Sequence, residues 1–248
     1  MAQIFEVGGC VRDSLLGLSS KDIDFTFVCE NSKNIEEGWG EMITWLMQQK
    51  FKIFLQTPDC FTVRAKFPQG HIHEGLVADF VMARKEIGYV EGTRKPVLVL
   101  GTLEDDLIRR DFTVNAIAKD LKGNLIDPLN GVEDIKNKIL KTPQNPLKTL
   151  NEDPLRILRA IRFSITKDFI ISREVLAAMK QEGILEKLRV TVSQERIREE
   201  LEKMFKHDSK KTLRTLFNID GVFIPGLLDV IFGDSLWLSP TFKKIKKK

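Results

Sequence analysis

At 248 residues the chain has room for one large domain or two smaller ones, and 42% hydrophobic with 30% charged residues excludes wholesale disorder. No apolar run reaches the ~18–20 residues of a membrane span, and no secretory leader opens the sequence. Net charge is only +4, and Cys10, Cys29 and Cys60 lack disulfide-framework or zinc-site spacing, so a reducing cytoplasm is the expected compartment.

In chain order, Ile4–Val7 is a short apolar run that breaks at Gly8-Gly9, and Val11–Leu18 reads as a brief helix. Asp22–Cys29 alternates as a strand, with Ile23, Phe25 and Phe27 on one face and Asp22, Asp24 and Thr26 on the other. Ile35–Gln49 carries Ile43, Leu46 and Met47 at helical spacing. Phe51–Leu55, Phe61–Phe67 and Leu76–Met82 read as strands, and His71 and His73, flanking Ile72, as solvent-facing strand residues. Lys85–Gly101 reads as a mobile loop with Gly88, Gly92 and Pro96, and apolar Phe112–Asp120 as a helix.

Two prolines in the polar stretch 141–146 mark a boundary near residues 140–150. Beyond it strand signals nearly vanish: Leu155–Ile165, Ser172–Gln181, Gln194–Phe205 and Lys210–Phe217 all read as amphipathic helices. The charge divides there too. Residues 151–248 hold 20 Lys/Arg against 14 Asp/Glu, and residues 1–150 hold 19 against 21. That asymmetry suits a polyanion at the back, and it is also a common fluctuation. The fold class expected is α+β: a small mixed sheet with helices on one side, followed by an all-α region.

Asp22-Ile23-Asp24 is the sharpest chemical feature. On a strand both carboxylates emerge on one side while Ile23 anchors the backbone. Adjacent carboxylates repel unless a cation sits between them, and oxygen-only ligands suit Mg²⁺. A solvated strand edge explains most such pairs taken alone. Here Gly8-Gly9 lies upstream between a strand and a helix, where phosphate oxygens can approach backbone N–H groups, with Arg12 nearby.

The run Gly8-Gly9-Cys10-Val11-Arg12-Asp13-Ser14-Leu15-Leu16-Gly17, followed by Asp22-Ile23-Asp24-Phe25, resembles the opening motif of the class II tRNA nucleotidyltransferase and bacterial poly(A) polymerase family. Blocks at Leu103–Ala116, Ile126-Asp127-Pro128, Glu152–Phe163 and Ser193–Leu201 agree in order, so the resemblance spans roughly residues 5–205. It implies a polymerase-β-like nucleotidyltransferase head over residues 1–145 and an all-α neck and body over 146–248. It also implies template-independent addition of C, C and A to a tRNA 3′ end from CTP and ATP, with pyrophosphate released.

By resemblance, Asp22 and Asp24 are the metal ligands, with Mg²⁺ as cofactor, and Asp79 in Val77-Ala78-Asp79-Phe80 is the third carboxylate. Asp79 could equally be an exposed strand residue. Gly8, Gly9 and Arg12 are implied to hold the triphosphate, and Arg110 to contact the nucleotide with Asp111 orienting it. No histidine is needed, and His207 lies beyond the motifs. The loop at Lys85–Gly101 matches the position of a family loop linked to the switch from C to A addition.

In Glu152–Phe163, Asn151 reads as an N-cap with Glu152 and Asp153 in the first helical turn. Arg156, Arg159 and Arg162 recur every three residues as a drifting stripe, with Ile157 and Ile161 opposite, facing the core. Asp153 accepting from a base amino group and Arg156 donating to a ring nitrogen fit cytosine and adenine; guanine and uracil reverse that pattern. Arg159 and Arg162 would then hold phosphates or the base stack.

Family members usually continue into further all-α domains that grip the tRNA, whereas residues 206–248 alone follow the span of the resemblance here. Basic segments Lys203–Arg214 and Lys243–Lys248 are expected to offset this in part by contacting phosphates, or the chain to pair as a homodimer through Val222–Leu238 with Trp237, a stretch that reads more readily as a packed core helix and loop. Thr241–Lys248 reads as a frayed tail. The nearest rivals are a poly(A) polymerase and an enzyme adding only part of CCA; from another class, a catalytically silent RNA-binding module.

Overall fold

The computed structural model describes residues 3–20, 22–89, 96–217 and 224–232. Strand β1 (Gln3–Val7) leads into helix α1 (Gly9–Leu15), which starts at the second glycine, and then strand β2 (Ile23–Val28). Helix α2 (Ile35–Gln48) is capped by the Asn34 side chain, which accepts from Glu37 N. Strands β3 (Lys52–Thr57), β4 (Thr62–Lys66) and β5 (Val77–Met82) follow as expected. Among them, the expected strand at His71–His73 is instead a turn whose imidazoles pack on Phe67, with ring centroids 4.6 and 5.2 Å away.

Lys85–Gly101 departs from the expected loop. Its described residues form a hairpin of β6 (Arg84–Tyr89) and β7 (Pro96–Leu100), paired antiparallel; 90–95 lie outside the described residues. Helix α3 (Leu103–Ile108) carries a capping box between Thr102 and Asp105. The helix expected over Phe112–Asp120 is a single 3₁₀ turn, Thr113–Asn115, followed by strand β8 (Ala118–Lys119). Thr113 and Asn115 are buried along with Phe112, Val114, Ala116, Ile117 and Ala118, so the polar residues here mark no solvent face that could reveal a period. Strand β9 (Leu125–Ile126) and helix α4 (Gly131–Lys136) complete this part.

The main sheet runs β3-β4-β5-β2-β1-β8-β9, with β2 and β5 parallel and every other pairing antiparallel. Helices cover both faces, not one. Ile23, Phe25 and Phe27 pack with Phe80, Met42 and Leu46 on the α2 side, where Phe25 and Phe80 stack at 5.0 Å. Phe5 and Val7 point the other way, onto Leu107 of α3 with Ala116 and Ala118. Each β2 side chain therefore faces one of two different neighbourhoods, and Asp24 and Thr26 share the side opposite the phenylalanines.

Helix α4 fits under the 3₁₀ turn only because residue 131 is glycine. A Cβ there would overlap the Thr113 carbonyl oxygen and lie 2.9 Å from Ile117 Cγ1. Gly131→Ala is expected to cost about 1–3 kcal/mol by overpacking, read as a lower urea midpoint. An unchanged midpoint would mean that this contact is slack.

The chain divides into two compact units, residues 1–137 with 141–144, and residues 138–140 with 145–248. The short strand β10 (Ile139–Leu140) belongs to the second unit, and residues 141–144 return to the first. There Lys141 accepts from Thr113 N through its carbonyl and pairs with Asp134 through Nζ.

The second unit holds helix α5 (Pro146–Glu152), helix α6 (Arg156–Thr166), strand β11 (Ile170–Ile171) parallel to β10, helix α7 (Arg173–Met179), helix α8 (Ile184–Thr191), helix α9 (Gln194–Leu216) and helix α10 (Leu227–Phe232). Asn151 is not an N-cap. It lies inside α5, whose cap is Asn145 with Pro146 at the first position, and Glu152 closes that helix. The two helices expected at 194–205 and 210–217 are both present within α9, separated by a kink at Asp208, whose φ of −155° is non-helical and whose Oδ1 accepts from Lys211 N. Of Val222–Leu238, residues 224–232 are described and form α10 with its lead-in; Trp237 and Lys243–Lys248 lie outside the described residues.

Candidate active site

Pleat and register assemble the head's acidic groups. Asp22 stands just before β2 and is exposed; Asp24, two residues on, is half-buried on the same side of the strand. Parallel pairing sets Asp24 directly opposite Asp79 on β5, and antiparallel pairing sets Asp79 opposite Arg64 on β4. Arg64 grips Asp79 bidentately, with Nε to Oδ1 and Nη2 to Oδ2 both at 2.7 Å. Burial pushes the Asp24 carboxyl above its ordinary range; Arg110 pulls it back, while Asp79 and Asp22 push it further up.

Neither the Asp22 nor the Asp24 carboxylate accepts a hydrogen bond from a described residue. The described residues contain no group of three His, Cys, Asp or Glu that could hold a metal unaided. Asp79, already spanned by Arg64, does not complete a three-carboxylate cage. Asp22 and Asp24, two residues apart on one side of the chain, nevertheless form an oxygen-only donor pair of the kind a hard divalent cation takes when substrate and water oxygens fill its remaining positions.

Above this pair the chain turns at Gly8, with φ +76° and ψ −131°. A Cβ on Gly8 would lie 2.7 Å from Arg110 Nη1 and 3.9 Å from Asp24 Oδ2, so the turn, the guanidinium and the carboxylate meet at one point. Gly9 opens α1, and Arg12 N bonds to Gly8 O at 3.0 Å. Arg12 itself is buried, its guanidinium donating to Asp13 and to Asn115 Oδ1. Asn115 is fixed in turn by Asp111, whose Oδ1 accepts from Asn115 Nδ2 and Phe112 N, both at 2.8 Å.

Arg110 is held by a residue the sequence reading missed. Asp106, fully buried on α3, accepts from Arg110 Nη2 and Thr26 Oγ1 through Oδ2, each at 2.8 Å, and from Arg109 through Oδ1. Burial works against its charge, yet Arg110, Arg109 and these hydrogen bonds hold its carboxyl down at about 2. Two signals pointed there: Thr26 shares the strand parity of Asp22 and Asp24, and Asp106, Arg109 and Arg110 are spaced i, i+3, i+4. Arg64 left no such signal, because only the sheet register brings it to Asp79.

In the second unit, Asp153 is the extended residue between α5 and α6, and Arg156 opens α6. Asp153 Oδ2 accepts from Arg196 Nη2 of α9 at 2.8 Å. Arg156 Nη1 donates to the Thr149 carbonyl at 3.1 Å and to Glu152 at 3.4 Å. Buried Glu200 of α9 pairs with Arg162 through Oε2 and lies 3.9 Å from Arg159 through Oε1. Arg162 also stacks over Phe163, 4.2 Å from the ring centroid. Asp153, Arg156, Arg159 and Arg162 thus lie in a charged band along α6, backed by Arg196 and Glu200. In the basic segment Lys203–Arg214, Lys203, Lys206 and Lys211 are ion-paired to Glu200, Glu202 and Asp168.

The sequence profile of the Poly A polymerase head domain matches residues 4–141. The chain belongs to that family. Among relatives of this poly(A) polymerase head family member, the tRNA nucleotidyltransferase cca2 of Schizosaccharomyces pombe is 34% identical over 220 residues, 85% of this chain and 45% of the relative. The Bacillus stearothermophilus CCA-adding enzyme, solved in complex with CTP, superposes with a TM-score of 0.69 at 28% identity, covering 91% of this chain and 50% of that one. The Thermotoga maritima CCA-adding enzyme, complexed with tRNA, gives a TM-score of 0.67 at 27% identity, covering 96% and 50%. The chain therefore spans about half the length of the relatives it matches. Among its described residues, no helix is long and apolar enough to cross a membrane.

Proposed function

We propose that the chain carries the nucleotidyltransferase of a CCA-adding enzyme, joining C, C and A from CTP and ATP to a tRNA 3′ end and releasing pyrophosphate. The observation that carries this reading is the meeting of Gly8, Arg110 and Asp24 beside the Asp24–Asp79 register. That meeting supports reading the turn as a phosphate cradle beside a cation-binding carboxylate pair. The likeness to enzymes solved with CTP and with tRNA supports the substrate assignment. The three free thiols support a reducing, cytoplasmic setting.

The residues fit Mg²⁺, with Asp22 and Asp24 as its ligands from the chain. When bound, the ion supplies charge neutralisation for the triphosphate and a lowered pKa for the attacking 3′-hydroxyl. The chain does the positioning. Gly8 and Gly9 let phosphate oxygens approach the backbone at the start of α1, and Arg110 faces the same point with a guanidinium donor. Arg12, buried against Asp13 and Asn115, adds positive charge behind the turn. Asp79, neutralised by Arg64, braces Asp24 from the neighbouring strand. The 3′ oxygen bonds to the α-phosphorus as the bond to the pyrophosphate oxygen breaks.

Base selection belongs to the second unit. Asp153 and Arg156 present an acceptor and a donor that match the pairing edges of C and A, and Arg159 and Arg162 supply phosphate or stacking contacts. Arg156→Ala is expected to erode the preference for CTP and ATP over UTP and GTP by about 10-fold or more, the loss of roughly one charge-assisted hydrogen bond. Misincorporation assays on a tRNA lacking CCA check it, and unchanged selectivity sinks the role.

The activity itself is tested with purified protein, Mg²⁺ and tRNA lacking CCA, with labelled CTP and ATP given singly and together. Products ending at CCA support the reading. A long A tail assigns a poly(A) polymerase, and a product short of CCA assigns a partial enzyme. No extension of any RNA primer leaves only an RNA-binding module.

A further inference from the structure

We propose that Asp106, together with Thr26, is a positioning residue for nucleotide transfer: it fixes the Arg110 guanidinium at the Gly8 turn. The proposal rests on the reading above in one respect, that Arg110 contacts the incoming nucleotide.

Arginine has a long, freely rotating stem, and pointing one into a site loses rotamer entropy unless other groups restrict it beforehand. Arg110 is restricted at both terminal nitrogens. Nη2 donates to Asp106 Oδ2 at 2.8 Å and reaches Thr26 Oγ1 at 3.5 Å, and Nη1 reaches the Asn115 carbonyl at 3.5 Å. The anchor is itself anchored. Thr26 Oγ1 donates to the same Asp106 oxygen at 2.8 Å, and Arg109 occupies the other. Nothing in this group is on a loose segment: Thr26 lies in β2 and Asp106 in α3.

Thr26 follows Asp24 by two residues on the same face of the same strand. The strand that presents the carboxylate pair therefore also sets where Arg110 stands relative to it. Burying an ion pair adds little stability over apolar packing, so stability alone gives weak reason to keep Asp106 here. Holding a guanidinium at one place beside two carboxylates is a reason. It also keeps Arg110 from collapsing onto Asp24, a pairing that would cancel the charge each needs for substrate.

A double-mutant cycle tests this, using CTP addition to tRNA with KM and kcat separated, alongside NMR of ¹⁵N-labelled arginine guanidinium groups. Asp106→Asn is expected to weaken transfer about 10–100-fold, as loss of an orienting group does. Thr26→Val should act in the same direction by a smaller factor, and it covers the case in which Asp106→Asn fails to fold. If Asp106 acts through Arg110, adding Asp106→Asn to Arg110→Ala costs almost nothing further. In both anchor variants the Arg110 guanidinium signals should change from restricted to rapidly averaging. Multiplicative losses in the cycle, or guanidinium signals that stay restricted, overturn the proposal. Full activity of Arg110→Ala overturns it together with the nucleotide contact assigned to Arg110. Absence of transfer by the parent protein refutes the transferase reading instead, and the guanidinium signals then still decide whether Asp106 and Thr26 hold Arg110.

Discussion

Asp24→Asn is expected to abolish nucleotide addition, by about 10³-fold or more, while the protein melts no lower than its parent at pH 7 to 8. The loss follows from removing one of the two proposed cation ligands, a change worth several kcal/mol of transition-state stabilisation. The retained or raised stability follows from the charge environment. Folding raises the Asp24 pKa through burial and the neighbouring Asp79 and Asp22, against the pull of Arg110 and Arg64. The folded state thus binds more protons than the unfolded one between the two pKa values. Stability falls as pH rises through that window, and the deficit is complete above it. A neutral Asn removes the deficit. Melting is to be measured in EDTA, so that bound cation does not stabilise the parent alone. A variant that melts several degrees lower would show that the Asp24 charge is structural. Asp22→Ala gives the cleaner control, because the residue is exposed: transfer should fail while tRNA binding stays close to that of the parent.

Gly8→Ala is the second large effect. The φ of +76° is one that a side chain adopts at a cost of about 1–3 kcal/mol, and the new Cβ would lie 2.7 Å from Arg110 Nη1. An arginine end usually swings away cheaply. This one is tied by Asp106 and Thr26, so relief comes from shifting the turn or breaking those bonds. Either displaces a group that, on the proposed function, must be placed to within a fraction of an ångström for the triphosphate to bind productively, and an approximately 10²-fold loss of transfer is expected. Single-turnover addition of CMP to tRNA reads it. A rate near that of the parent would show that the turn does not approach the nucleotide closely.

What the sequence made legible follows physical locality. Strands β2, β4 and β5 and helix α2 stood out because alternating or helically spaced apolar residues record a buried face directly, whereas β1, buried on both sides at Ile4 and Phe5, and β3, with no buried residue, stood out only as short apolar runs. The same parity placed Asp22 and Asp24 together. Phe112–Asp120 was misread because every side chain from Phe112 to Ala118 is buried, which erases the period that separates helix from strand. Lys85–Gly101 was misread because its glycines and Pro96 suggested mobility, while the unbroken, valine-rich apolar run Val97–Leu100 was the better signal. Asn145-Pro146 was a helix start mistaken for linker, which displaced the cap to Asn151. Arg64, Asn115, Arg196 and Glu200 lie 15, 103, 43 and 38 residues from the partners they hold. Such pairings exist only once sheet and helices have assembled, and no local pattern encodes them.

The short strand at Ile139–Leu140 alters what a boundary means in this chain. It pairs with Ile170–Ile171, yet the next four residues are laced back to the first unit through Thr113 and Asp134. The backbone changes allegiance three times within nine residues, 137–145. Cleavage at any one peptide bond in that interval leaves one unit carrying a strand it cannot pair or the other lacking a segment it needs. Insertions or exchanges between relatives that respect both units must therefore carry residues 138–144 apart from their sequence neighbours, which no single crossover can do.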